Sequence, residues 1–294
     1  MNSMKHNNGK KILSGVLFAA ALLAILVFIL FPIYWCLVTS FKPSAEITSK
    51  NVTYWPKTFT FQNYVEAWTR SGFSNYFKNS LFIAVFGVVF IVIISILTGY
   101  ALARFKFKGK NAFMLLLLCT QFIPGAMLIT PIFIIFKNLN MLNSLFALVL
   151  VNTTFHFPFN SILMRGFISG IDYTIEEAAQ IDGCSRLGAI RHVLLPILKP
   201  GIATIAAYGF ISCWNEFLFS FMFISKQAKL TLPVGLKSLV GEFSINYGQL
   251  AAGAIIAVVP TLILFSYVQK NLVGGLSSGA VKGCLLYTSD AADE

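Results

Sequence analysis

The sequence predicts an all-α integral membrane protein with six transmembrane helices and a short helical pair between spans four and five. Three observations carry that prediction. Hydrophobic residues make up 57% of the chain, charged residues only 11%, and mean hydropathy is +0.77, whereas a soluble domain carries roughly 25% charge. Six runs are free or nearly free of charge, each long enough for the roughly 20 residues that a membrane helix needs. Within them apolar residues follow one another without the alternation of a barrel strand, so each run must satisfy its backbone as a helix.

The first run, 12–41, follows Lys5, Lys10 and Lys11 as the core of a signal peptide would. It is longer than a signal core of 7–15 residues and has no small-residue cleavage site before "FPIYWCLVTSFK", so we read it as a retained first span after an N-terminal segment, 1–11. Residues 42–78 are polar and aromatic by turns and are expected to be an external loop. Spans two to four are 79–103, 111–136 and 138–164. The fifth, 200–225, contains one charge, Glu216, and the sixth is 243–269. Basic residues in short connections set orientation. With the N-terminus inside, inner segments collect 13 of the 22 basic residues, most densely in "ARFKFKGKN" at 103–111, so both termini are expected in the cytoplasm. These residues sit at span ends, where they meet lipid headgroups. That accounts for the net charge of +11 with membrane lipid as the partner and no nucleic acid.

Between spans four and five lies a charged segment, about 172–200. Thr174 stands three residues before Glu177, the spacing of a capping box, acidic residues occupy the first turn, and Gly183 stands where a helix would stop. Ile175, Ala178 and Ala179 share one face of this helix. After Ser185, a cap for the next helix, Leu187, Ile190 and Leu194 recur at helical spacing until Pro196 interrupts the bonding. Both helices should therefore be apolar on one side and charged on the other.

The polar residues inside the spans are the other candidates. A carboxylate within a membrane helix costs roughly 2.5–3.5 kcal/mol to insert, so Glu216 is expected to face protein or water: it either lines a path or gate, or holds the bundle by an interhelical hydrogen bond. Its neighbours Trp214 and Asn215 offer an aromatic face and an amide. Gln121 and Asn152 either line the same path or bond helix to helix. His156, in "TFHFPF", reads as a packing residue, and Pro124, Pro131, Pro158 and Pro260 as kinks.

Glu177-Ala178-Ala179, three residues, Gly183, nine residues, Val193, one residue and Leu195-Pro196 together resemble the EAA loop of ABC import permeases. "KNSL" at 78–81, "QFIPGAMLITPIFIIF" at 121–136, "IDGCS" at 181–185, "LLPILKPG" at 194–201 and "CWNEFLFSFMF" at 213–223 are similar to the carbohydrate-uptake branch of that family, the maltose, glycerol-phosphate and multiple-sugar type. The resemblance runs from about residue 12 to 283. Val193 stands where Ile is usual and Cys184 where Ala is common, both conserving size and polarity. It implies the transmembrane domain of a type I ABC importer: the second permease subunit of a binding-protein-dependent sugar importer in a prokaryotic cell membrane, with 79–283 as its core. The loop would then be a coupling helix, with Glu177, Ala178, Ala179, Asp182, Gly183, Leu195 and Pro196 facing a cytoplasmic ABC ATPase dimer. Glu177 would either touch that partner or only cap its own helix. Trp214 would stack on sugar, or pack; Asn215 would bond sugar hydroxyls. A homologous second permease, an extracytoplasmic sugar-binding protein and a carbohydrate complete the implied partners. The aromatic segment at 55–77 would meet the binding protein, or lie on the membrane surface.

Such a subunit is not an enzyme and binds no cofactor of its own. The chain has no G-x-x-x-x-G-K-[ST] loop to cradle phosphate, so ATP with Mg would belong to the partner ATPase. Two other classes fit less well. An ion-coupled secondary transporter usually shows an inverted repeat and paired membrane carboxylates, where this chain offers one, Glu216. An intramembrane enzyme would need a nucleophile with its base or a metal set, and His6, His156 and His192 are scattered. Cys36, Cys119, Cys184 and Cys213 show neither disulfide nor metal spacing. The last eleven residues, 284–294, back-translate to a string resembling the transposon-end adapter of sequencing libraries, so the natural chain is expected to end near Gly283 or to be cut short there.

Overall fold

The computed structural model describes the backbone of residues 3–241 and 245–280, and the side chains of 14–241 and 245–269. The tail 284–294 and the side chains of Lys5, Lys10 and Lys11 lie outside these limits. The described residues form fourteen α-helices with a single two-residue β-bridge, Val240 to Ile245. They fall into two compact units, one of 3–73 with 238–241 and 245–257, the other of 74–237 with 258–280.

The first unit is built on α1, Ser3–Ser40. Its apolar stretch, Ser14–Ser40, reaches a mean hydropathy of 3.0 over a window in which no residue is buried, and only its end, at Val38 and Ser40, is covered. Pro43, in extended backbone, starts the short α2, Ser44–Ile47. The Glu46 carboxylate then closes the following loop by accepting from the Thr53 hydroxyl at 2.6 Å and the Lys57 N–H at 3.1 Å. In α3, Gln62–Thr69, the buried Asn63 amide donates to the carbonyls of Ser40 and Lys42 at 2.9 and 2.8 Å. It pins α3 to the end of α1. Lys42 is buried too, donating to the Thr53 carbonyl with its ammonium 4.9 Å above the Trp35 ring.

The second unit holds the remaining helices. α4, Phe73–Arg104, is one unbroken apolar rod. α5, Lys110–Thr120, and α6, Gly125–Asn138, meet at 96°. The expected span 111–136 is thus an elbow, because Pro124 has no N–H to continue the helix and its ring disfavours helical backbone at Ile123. α7, Leu145–Ser169, starts later than the charge-free run at 138–164. Asn140 and Asn143 take left-handed backbone (φ 54° and 59°) and turn the chain first. α7 is the least apolar span, mean hydropathy 1.3, and the most covered, burying Asn152, Thr153, Asn160 and Ser161.

Four short helices follow: α8, Thr174–Ile181; α9, Arg186–Ala189, which runs through a wider π-helical turn, Ile190–Leu194, into α10, Leu195–Ile197; and then α11, Lys199–Trp214, at 76° to the preceding helix. α12, Leu218–Phe223, and α13, Leu232–Ser238, precede α14, Tyr247–Ala280, whose first residues to Ala257 belong to the other unit. Four helices cross-qualify by length and apolarity as membrane spans, or up to six if each bent pair counts as one.

Two apolar cores organise this unit. One gathers Ile83, Phe136, Leu148, Val151, Phe219 and Phe223. The other gathers Tyr100, Met164, Ile168, Leu194, Leu198 and Ile205, so the segment after α8 is packed on the ends of α4 and α7. α11 lies so close to α7 that a Cβ on Gly201 would stand 2.7 Å from Cγ of Phe167. At the other end, the Asn143 side-chain carbonyl accepts from the N–H groups of Ser225 and Lys226, at 2.8 and 2.9 Å, and Lys229 donates to its backbone carbonyl at 2.8 Å.

Candidate functional site

The motif segment is held to α4 by a residue that the motif does not include. Glu176 is 1% exposed. Its Oε1 accepts from Nε of Arg104 at 2.7 Å and its Oε2 from the hydroxyl of Tyr100 at 3.0 Å. Arg104 also donates to the carbonyl of Ile171 at 3.0 Å. From α9, Arg186 donates to the Tyr100 hydroxyl at 3.3 Å and lies 4.4 Å over the Phe105 ring. One carboxylate, two guanidinium groups and a phenol thus join the last turn of α4 to both short helices. Spacing along the chain gave no sign of this, since Arg104 and Glu176 are 72 positions apart.

With Glu176 turned inward, α8 presents its other side. Glu177, Ala178 and Asp182 are exposed, and Ala179 is buried beneath them. Thr174 makes no capping box: Tyr173 occupies the cap position, and the Asp172 carboxylate takes the Thr174 N–H at 3.1 Å instead. That frees Glu177 from the capping role that its spacing suggested. Gly183 ends the helix at φ 90°, with nothing near its missing Cβ, so backbone conformation alone calls for glycine. Ser185 caps α9, accepting the Gly188 N–H at 3.1 Å. Ile190 and Leu194 pack inward as their spacing predicted, but Leu187, expected on the same face, is 78% exposed. The backbone widens to π-helical bonding over Ile190–Leu194, so the α-helical period that grouped Leu187 with Ile190 and Leu194 does not hold through it. Leu195 is half-buried and Pro196 exposed. Ile175, Ile181 and Leu187 are thus exposed apolar residues of a segment that also exposes Glu177 and Asp182 and is tied to α4 by a buried ion pair.

The second candidate group lies at a helix break. α11 stops at Trp214, and Glu216 caps α12: its carboxylate accepts from the N–H of Phe219 at 2.6 Å, the N–H of Ser220 at 3.0 Å and the Ser220 hydroxyl at 2.7 Å. This bonding is local, made within the α11–α12 connection, and stands beside the path and interhelical roles expected for Glu216. The continuous fifth span is interrupted here because these contacts start a new helix three residues on. Trp214 is buried, stacked on Phe210 (centroids 5.6 Å, 12°) and edge-on to Phe77 (5.5 Å), while Asn215 is exposed. Gln121 is exposed at the elbow, its amide on the Thr120 hydroxyl. Asn152 donates back to the Leu148 carbonyl at 2.9 Å, and its own carbonyl oxygen is buried without a described partner. His156 packs edge-on against Tyr208. Among the described residues no group of three His, Cys, Asp or Glu is arranged to hold a metal ion.

A family model described as "Binding-protein-dependent transport system inner membrane component" matches residues 91–277. The chain is 38% identical, over 88% of its length and 95% of the relative's, to the diacetylchitobiose uptake system permease protein DasC of Streptomyces coelicolor. It is 36% identical to the sulfoquinovosyl glycerol transport system permease protein SmoH of Agrobacterium fabrum, over 86% of this chain and 89% of that one. Among solved structures it resembles a chain of a bacterial ABC transporter involved in import of the acidic polysaccharide alginate. The TM-score is 0.80 at 26% identity, over 90% of this chain and 98% of that one.

Proposed function

We propose, from the premise that this chain belongs to the family of binding-protein-dependent transport system inner membrane components, that it is one permease of an ATP-driven sugar importer. It works with a homologous second permease, a cytoplasmic ABC ATPase dimer and an extracytoplasmic sugar-binding protein, in the inner or plasma membrane of a prokaryote with both its termini in the cytoplasm. The names of its relatives favour carbohydrate cargo, a disaccharide in one case and a glycosylated glycerol in another. ATP with Mg sits on the ATPase; this chain supplies the docking surface and part of the membrane path.

The observation that carries the proposal is the outward face of α8 and α9. Ile175, Ile181 and Leu187 each leave a large apolar side chain exposed on the short helices that carry the exposed Glu177 and Asp182, and exposed apolar side chains on a rigid support suit a partner surface. The adjoining helices are bonded into the membrane domain, so a displacement of the docked partner reaches the spans. The exposed Asn215, and Glu216 at the α11–α12 break, are the residues proposed to act in the path, with Gln121 and Asn152 lining it.

The test is reconstitution of the complex encoded with this chain in proteoliposomes, measuring ATP hydrolysis and uptake of labelled diacetylchitobiose, arabino-oligosaccharides and raffinose. Glu177→Ala with Gly183→Asp is expected to lose ATPase assembly and uptake together, while Glu216→Gln still assembles. Uptake that continues without ATP or any ATPase subunit would refute the proposal and favour an ion-coupled carrier.

A further inference from the structure

We infer that Glu176, Arg104 and Tyr100 form the clamp through which motion of the coupling segment enters the membrane domain, and that it enters through α4. The inference rests on the transport reading above. Glu176 and Arg104 are then positioning residues: they touch neither ATP nor cargo.

The first argument is the nature of the contact. The pair is almost dry, with side chains 7% and 1% exposed; the other described ion pair, Arg70 with Glu66, is an open i,i+4 contact with Arg70 76% exposed. Burying two charges gains little stability over an apolar pair of similar volume, whereas it ties each partner to one geometry. Both carboxylate oxygens are used, and Arg104 divides its donors between Glu176 and the Ile171 carbonyl at the entry to α8. α8 is thereby fixed at two points and has no freedom to roll on α4.

The second argument is mechanical. Beside its short link to α7 through 170–173 and the apolar contact of Leu194 and Leu198 with Met164 and Ile168, which carries no fixed polar geometry, the segment has two further routes into the membrane. The covalent route runs through the π turn and Pro196 into α11, which meets the preceding helix at 76° and stops at Trp214. A bent and broken helix yields at its joints. The clamp instead grips the last turns of α4, a 32-residue helix without a break, about 48 Å long at 1.5 Å per residue. A push on α8 is carried along that rod without loss at a joint. Arg186 adds a third attachment from α9 to Tyr100 and Phe105, so the two short helices move with α4 as one body.

The experiment uses the whole reconstituted complex, with the sugar of the panel that the wild type takes up best, and reads sugar imported per ATP hydrolysed together with the yield of assembled complex. Glu176→Gln and Arg104→Gln, made singly, each leave an unpaired buried group and are expected to lower yield. The double variant Arg104→Met with Glu176→Leu removes both charges, so its yield should return to within about twofold of wild type while sugar per ATP falls at least about fivefold, the low end of a coupling free energy between sites. Tyr100→Phe, which removes one hydroxyl, should keep full yield and lower the ratio at least about twofold. If the double variant assembles with wild-type sugar per ATP, the clamp is only a fastening and the inference is overturned; if the double variant does not assemble, an unchanged ratio in Tyr100→Phe overturns it equally. Wild-type uptake that needs no ATP would remove the transport reading and the clamp together, which separates the two failures.

Discussion

Removing the Glu216 carboxylate should destabilise the membrane domain before it alters any chemistry. Glu216→Ala deletes an acceptor of two backbone N–H groups and one hydroxyl at the start of α12. Loss of a helix cap costs about 0.5–2 kcal/mol, and a hydrogen bond to a charged group about 1.5–3 kcal/mol. Because one half-buried side chain makes all three contacts, they do not add in full, and we expect about 2–4 kcal/mol for alanine. Glutamine keeps one carbonyl acceptor and should cost about 1 kcal/mol. At roughly 2–4 °C per kcal/mol for a large domain, the Tm of the purified complex in detergent should fall by about 4–16 °C for Glu216→Ala and by about 2–4 °C for Glu216→Gln. Uptake by the same preparations should fall in the same order. The reasoning fails if Glu216→Ala unfolds at the wild-type temperature, for then the three contacts at the start of α12 do not hold the domain.

Three further outcomes can be checked separately. At Gly183, where φ is 90° and no atom crowds the missing Cβ, Gly183→Asn should retain most ATPase binding in a pull-down and Gly183→Val should lose it, because left-handed backbone costs an ordinary residue roughly 1–2 kcal/mol and Asn less. Gly201→Val should overpack the α7–α11 contact against Phe167, costing about 1–3 kcal/mol and lowering both Tm and the yield of folded protein in detergent. The Thr53 hydroxyl, and then the Lys57 N–H, hold the Glu46 carboxyl below its ordinary range. A lowered folded value means that its contribution is present above the unfolded pKa of about 4.3 and is lost as pH falls through the folded value. Protease cutting within 47–57 should therefore rise below about pH 4, and Glu46→Gln should raise cutting at neutral pH and flatten that dependence.

The spans were legible because lipid imposes one requirement over some 20 residues at a time, and α1 and α4 meet it with scarcely an interruption. Where that requirement is met by residues of another kind, a search for gaps between charges misplaces boundaries. Asn138, Asn140 and Asn143 carry no charge, so they extended the fourth run to 138, yet two of them turn the backbone before α7 begins. Glu216 was conspicuous as a carboxylate in an apolar run, but its role depends on α11 ending at Trp214. The overlooked sign was its spacing of three and four from Phe219 and Ser220, which is cap spacing. Gly183 and Ser185 were readable from local backbone chemistry. Arg104 and Tyr100 were not, since only the packing of α4 under α8 brings them to Glu176; the one hint was a second acidic residue beside Glu177. Leu187 broke the pattern because periodicity assumes one α-helical pitch, and Ile190–Leu194 are wound as a π-helix.

The contrast between α1 and α7 also bears on how the chain reaches its membrane. α1, with a window of mean hydropathy 3.0 and no buried residue, gains much by entering lipid, whereas α7, at 1.3 with Asn152 and Asn160 buried, gains far less. Its polar side chains find their cover only against neighbours, among them α11, which is synthesised some thirty residues later. The enclosure of the fourth span therefore depends on helices that are synthesised after it.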